Sequence, residues 1–224
     1  MGYYSSAKRY YASGKRKYAR AKRWSNTPQT PKALAVQAIR GVKHLKGLVN
    51  VEKHRHIISI PLTNIDSDGT VISLTDLAQG NDAGQRTGNS VLVKGIATKM
   101  VCRNSASSFN TTLRLMWFMD TQQVGDTSPS VTDVLDGASV VQPLNHNTVG
   151  RFKILKQIFI TMSNTGGNTQ KVLNFFIKLN HHVRYNGTTV SDIQRGGLYL
   201  LAISDEDTNM PSINATQTVQ YYDN

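Results

Sequence analysis

The chain is short of several things, and each shortage excludes something. Of its 224 residues, one is cysteine, Cys102. No intrachain disulfide can form, which suits a reducing compartment. The segment around Cys102 reads as a strand, so its thiol is expected to be a small core group rather than a nucleophile. No apolar run reaches the ~18 residues needed to span a bilayer. Residues 1–24 alternate Tyr, Ser, Ala and Lys/Arg and lack the apolar core of a secretory signal. Synthesis in the cytosol is therefore expected, and the glycosylation sequons beginning at Asn110, Asn186 and Asn214 are read as chance. There is no phosphate-cradling loop, dinucleotide fingerprint or nucleophile elbow. No repeat of 20–50 residues recurs, which argues against solenoids and propellers.

The most informative absence is of acidic residues in the first fifth of the chain. Residues 1–49 hold twelve Lys or Arg and no Asp or Glu, while residues 50–224 hold fourteen of each sign. The net charge of +12 thus sits wholly on the amino-terminal segment. This is the signature of a polyanion-binding tail joined to a domain of zero net charge. Lys8, Arg9, Lys15, Arg16, Lys17, Arg20, Lys22 and Arg23 are interleaved with Tyr3, Tyr4, Tyr10, Tyr11, Tyr18 and Trp24. Cations neutralise phosphates and aromatic rings stack on unpaired bases. A nuclear import signal or a solvated tail are the blander readings. Residues 1–30 have nothing to bury and are expected to be disordered when free.

Pro28 and Pro31 end the tail. Leu34, Ala38, Ile39, Val42, Leu45 and Val49 then recur at spacings of three and four, which predicts an amphipathic helix over about 32–48. Lys32, Arg40, Lys43 and Lys46 lie mostly off that stripe and extend the nucleic-acid-binding set. Gly41 and Gly47 weaken the helix by up to ~1 kcal/mol each. A helix lying on a membrane surface is the competing reading.

Beyond residue 50 the period becomes two. Ile58, Ile60 and Leu62 alternate with Ser59 and Pro61. Leu113, Leu115, Trp117 and Met119 form one face, with Thr112 and Arg114 on the other. Phe152, Ile154, Ile158 and Ile160 mark another strand, as do Leu173, Phe175, Ile177 and Leu179. Residues 198–203 are apolar on both faces, and Ile213, Ala215, Val219 and Tyr221 mark a last strand. Strands also fit 71–75 and 91–103. Gly, Asn and Asp groupings separate them. Residues 130–135 fit one helical turn, with Ser128 or Thr127 near its start. Regular helix–strand alternation is absent, so a parallel α/β sheet is excluded. The fold class expected is all-β: an eight-stranded antiparallel jelly-roll sandwich over 50–224, carrying a basic, partly disordered and partly helical arm over 1–49.

Reactive constellations are thin. His54 and His56 share a strand face but lack further ligands for zinc. His181 and His182 point to opposite faces. Asp66 and Asp68 before Gly69 read as a polar turn rather than a calcium loop. Asp205, Glu206 and Asp207 are weak metal candidates, for a structural calcium at subunit contacts. No cofactor and no enzymatic activity are expected. A jelly-roll sugar-active or cupin-type enzyme would need a metal triad or carboxylate pair inside the sandwich.

Four blocks carry a family resemblance. The first is residues 76–89, with Gln79-Gly80-Asn81-Asp82 and Gln85-Arg86-Thr87-Gly88 at its core. The others are residues 113–120, 127–135 and 151–156. In this order and spacing the chain resembles the satellite tobacco necrosis virus coat proteins, and its first block is also similar to coat proteins of circular single-stranded DNA viruses. The resemblance implies a jelly roll whose copies form a closed shell, about sixty in T = 1 symmetry, with arms directed inward to a single-stranded genome of DNA or RNA. Twelve arm charges in about sixty copies make ~720, enough to offset much of a genome on the order of a thousand nucleotides. Binding is expected to be electrostatic, with little sequence readout. Arg86, in the strongest block, is expected to brace a loop by charge-assisted hydrogen bonds. The alternative is a non-capsid nucleic-acid-binding or silencing-suppressor module on the same fold. No motif designates a host receptor.

Overall fold

A computed structural model describes residues 30–48, 52–123 and 127–223. The chain divides into two units, residues 1–50 and 51–224. The disorder expected for residues 1–30 concerns positions that, but for Thr30, lie outside the described residues.

In the first unit, helix α1 spans Pro31–Leu48. Thr30 caps it: its side-chain oxygen accepts the Ala33 N–H (3.3 Å) and its carbonyl accepts the Leu34 N–H (3.0 Å). Pro31 takes the first helical position, where a missing N–H costs nothing. At about 100° per residue, positions 32, 40, 43 and 46 fall within about 120° of one another. Ile39 shares that side, rather than the apolar stripe of Leu34, Ala38, Val42 and Leu45 in which the spacing placed it. Leu34, Val36, Ile39 and Val42 are all exposed.

The second unit has nine strands among the described residues: β1 (Glu52–Asn64), β2 (Thr70–Ser73), β3 (Ser90–Arg103), β4 (Asn110–Asp120), β5 (Phe152–Ser163), β6 (Gln170–Tyr185), β7 (Ile193–Arg195), β8 (Gly197–Ser204) and β9 (Ser212–Asp223). They pair antiparallel in two sheets, β1-β9-β3-β6-β7 and β2-β8-β4-β5. First strand beside last, second beside eighth, third beside sixth and fourth beside fifth is the double Greek key of a jelly roll. The ninth strand beyond the expected eight is β7. Its three residues are too few for a period-two signal, and it pairs only through Arg184–Arg195 and Tyr185–Ile193.

The sheets differ in how they are covered. Between them lies the main core, with Ile96 and Met100 of β3, Leu113, Leu115 and Trp117 of β4, Leu200 of β8 and Val219 of β9. The Trp117 ring meets Phe175 edge-on at 5.0 Å. A second core lies on the far side of the four-stranded sheet, where Val134, Leu135 and Val140 of the β4–β5 connection cover Met116, Phe118, Tyr199, Leu201 and Ile203. That coverage explains why β8 is buried along its whole length. It also explains why Met116 and Phe118 are apolar on the face of β4 where alternation would place polar residues. Arg114, on that face, donates from its Nη1 to the carbonyls of Val140 (3.0 Å) and Gln142 (2.5 Å).

The connection is fastened at its neck. Arg151 grips the fully buried Asp120 carboxylate through three hydrogen bonds of 2.6–3.0 Å. This pairing holds the Arg151 guanidinium above its usual pKa. Within the connection, α2 (Val131–Val134) is capped by Ser130, not by Ser128 or Thr127. Ser130 accepts the Asp133 N–H (3.1 Å) and Asp133 accepts the Ser130 N–H (2.8 Å), a reciprocal capping box. Donation from Ser130 is the main cause that lowers the Asp133 pKa.

Candidate nucleic-acid interface

The eight cations expected in the tail, Lys8 to Arg23, lie outside the described residues. Lys32 and Arg40 are exposed on α1, and Lys43 and Lys46 occupy positions on the same side of it.

The outer face of the five-stranded sheet holds a basic surface that the charge sum concealed. Strand pairing sets its rows. Lys53 stands opposite Tyr222, which stands opposite Leu92, which stands opposite His182; Lys99 lies between Thr216 and Asn174. The outward positions include Lys53 and Arg55 of β1, Lys94, Lys99 and Arg103 of β3, Lys178 and Arg184 of β6, and Arg195 beside Arg184 on β7. Eight of the domain's fourteen cationic side chains are thus on one face, and no Asp or Glu takes an outward position on the described strands. The carboxylates that balance them sit in loops, at inward positions and on the other sheet. A domain of zero net charge is therefore strongly polarised.

A bulge shapes this face. Between Val93 and Gly95 the register slips, which turns Lys94 outward, where its ammonium donates to Asn180 Oδ1 at 2.6 Å. A Cβ on Gly95 would lie 2.2 Å from the Phe176 ring and 2.6 Å from the Ile177 carbonyl, so only glycine lets Phe176 cross the strand there. Phe176 is about half exposed, at 51%.

Arg86 does brace its loop. It is fully buried with no carboxylate in direct contact. Its Nε donates to the Leu77 carbonyl (3.0 Å), Nη1 to the Gly88 carbonyl (2.8 Å) and Asn89 Oδ1 (3.2 Å), and Nη2 to the Gly187 carbonyl. Its guanidinium lies 4.0 Å from the Tyr185 ring centroid. Burial lowers its pKa, with Tyr185, Asp192 and Asp223 opposing. Neighbouring Thr87 donates its N–H (2.5 Å) and hydroxyl (2.6 Å) to Asp223 near the carboxyl end. One residue thus ties the β2–β3 connection to the β6–β7 turn.

The remaining candidates are structural. Asp205, Glu206 and Asp207 splay apart instead of converging. Asp205 accepts from the Thr112 N–H (2.8 Å), Glu206 from the Ser108 hydroxyl (3.0 Å), and Asp207 from the Ser67 N–H (3.2 Å) and hydroxyl. They tie the β8–β9 loop to its neighbours. Among the described residues, no three of His, Cys, Asp and Glu stand together as a metal site. Asp66 accepts the Gly69 N–H at 2.8 Å and Gly69 has φ of 75°, as a polar turn requires. His54 stacks on Tyr221 with ring centroids 5.4 Å apart. Cys102 is buried, and desolvation pushes its thiol up to about 12.

The family model for the satellite tobacco necrosis virus coat protein matches residues 21–224. The chain belongs to that family. The capsid protein of satellite tobacco necrosis virus 1 is 30% identical over 172 residues, covering 73% of this chain and 85% of the relative. The coat protein of satellite tobacco necrosis virus 2 is 30% identical over 118 residues, covering 51% and 58%. Among solved structures, that of desmodium yellow mottle tymovirus aligns over 77% of this chain and 88% of its own, at 11% identity and a TM-score of 0.34. The basic sheet face is thus a feature of a viral coat protein, and its strands show how sequence could have found it. Lys53 and Arg55, and Lys178, His182 and Arg184, recur at even spacings, opposite in phase to the apolar set.

Proposed function

We propose that this coat protein assembles into a small closed shell of about sixty copies in T = 1 symmetry and packages a single-stranded genome through its basic arm. The observation that carries the reading is the segregation of charge. All twelve cations of residues 1–49 are unopposed, and the cations of the shell domain are concentrated on one sheet face. Lys8, Arg9, Lys15, Arg16, Lys17, Arg20, Lys22 and Arg23, continued by Lys32, Arg40, Lys43 and Lys46, neutralise phosphates. The sheet face turns inward in the shell and adds its own eight cations. Together they supply twenty cations per chain, or ~1,200 in about sixty copies, the scale of a genome on the order of a thousand nucleotides. Binding of this kind releases counterions and reads little sequence. The chain is made in the host cytosol and resides in the virion. With a DNA genome copied in the nucleus, the arm also serves import.

Deleting residues 1–30 tests the arm. The truncated chain is expected to keep a folded shell domain and to protect far less nucleic acid from nuclease. Packaging at the full-length level by the truncated chain would overturn the assignment.

A further inference from the structure

Tyr222 stands apart on the basic face. Lys53 of β1 is its register partner, and the bulge in β3 brings Lys94 to its other side. The two ammoniums lie 5.9 and 5.4 Å from the ring centroid, near the ~6 Å outer limit of a cation–π contact. The ring is half-buried and sits in a central strand pair, so its orientation is fixed before any ligand arrives. Beside it opens a cleft of about 240 Å³ whose walls include Lys53, His54, Arg55, Lys94 and Gln220. That is below the roughly 300–1,000 Å³ of a pocket for a drug-sized molecule. It suits one flat group rather than a whole cofactor. Three of its walls are cationic and none carries a carboxylate.

We propose that Tyr222, flanked by Lys53, Arg55 and Lys94, is a stacking platform for one unpaired base of single-stranded nucleic acid, with the phosphates on either side of that base held by the three cations. The inference rests on the packaging reading and adds a selectivity to it. A fixed aromatic ring between cations takes any base, because every base has a π-face, and takes it only from a strand whose bases are free. In a duplex the bases are already stacked, so only the cations can act. The arm supplies charge that serves both kinds of nucleic acid, whereas this platform favours the single strand.

The test is equilibrium binding of the full-length chain to a ten-nucleotide oligothymidylate and to a ten-base-pair duplex across a salt series, for wild type, Tyr222→Leu and Tyr222→Phe. Tyr222→Leu is expected to weaken single-strand binding about 5- to 100-fold. It should leave duplex binding and the salt slope as in wild type. Tyr222→Phe keeps the ring and restores the single-strand affinity. Equal binding of both probes by Tyr222→Leu and wild type, or equal loss on both, overturns the platform. Should Tyr222→Leu fail to fold, Tyr222→Trp, with a larger ring, must tighten single-strand binding, and no gain overturns the proposal. Deleting residues 1–30 in the same assay separates the two ideas. It should weaken both probes and flatten the salt slope, and its failure to do so would remove the arm's role without touching the platform.

Discussion

Replacing Arg86 by Met should be among the costliest single changes in the shell domain. The guanidinium donates to three backbone carbonyls and one side-chain oxygen and lies against Tyr185. Met fills much of the volume but donates nothing, so the carbonyls of Leu77, Gly88 and Gly187 lose their partner. A buried acceptor without a partner costs about 1–3 kcal/mol. Water entering from the half-exposed loop recovers part of this, which leaves an expected loss of about 3–5 kcal/mol, the scale of an uncompensated buried network. With a urea m-value of about 2 kcal/mol/M, the unfolding midpoint of dissociated subunits should fall by roughly 2 M. Arg86→Lys keeps the charge but not the planar fork and should lose about half as much. A fall below roughly 0.5 M for Arg86→Met, or no loss for Arg86→Lys, would refute the brace.

Three further outcomes are expected from the geometry. Asp120→Ala leaves Arg151 without its buried partner and should cost about 3–5 kcal/mol, read by urea unfolding and by faster proteolytic nicking within residues 121–151. His56 and His181 are both held below the ordinary histidine pKa, chiefly by burial. Their neutral forms are favoured by the fold, so the stability they contribute is full above pH ~6.5 and is lost as pH falls towards their folded values. Wild type should therefore lose more urea resistance between pH 7 and pH 5 than His56→Gln/His181→Gln. That difference is the readout, because Asp76, whose pKa burial raises, acts with the opposite sign. Cys102, with its thiol near 12, should resist alkylation at pH 8 in the folded chain and react at once in urea.

The strands were legible because one face of each is buried. Ile58 and Ile60, Leu173 to Leu179, and Ile213 to Tyr221 keep an inward period of two, although Ile57 and Phe176 stand exposed on the other face of the five-stranded sheet. The four-stranded sheet hid its organisation. Met116 and Phe118 break the alternation because the β4–β5 connection covers them, and a local pattern does not reveal a cover supplied from about twenty residues away. Ser130 was legible in principle, as it stands three residues before Asp133 in the capping-box spacing. Arg86 was singled out by its motif, and its partners are mostly backbone carbonyls that no side-chain pattern announces. The basic sheet face was missed because charges were summed along the chain. Lys53, Lys99 and Arg184 are far apart in sequence and come to one surface only through the order β1-β9-β3-β6.

The most direct test of the central claim is negative-stain electron microscopy of the expressed full-length chain after nuclease treatment, with the protected nucleic acid typed by RNase and DNase. Uniform closed particles enclosing protected nucleic acid are the predicted result. Small, unassembled protein at every salt and pH, with nothing protected, would contradict it and leave a jelly roll that binds nucleic acid without a shell.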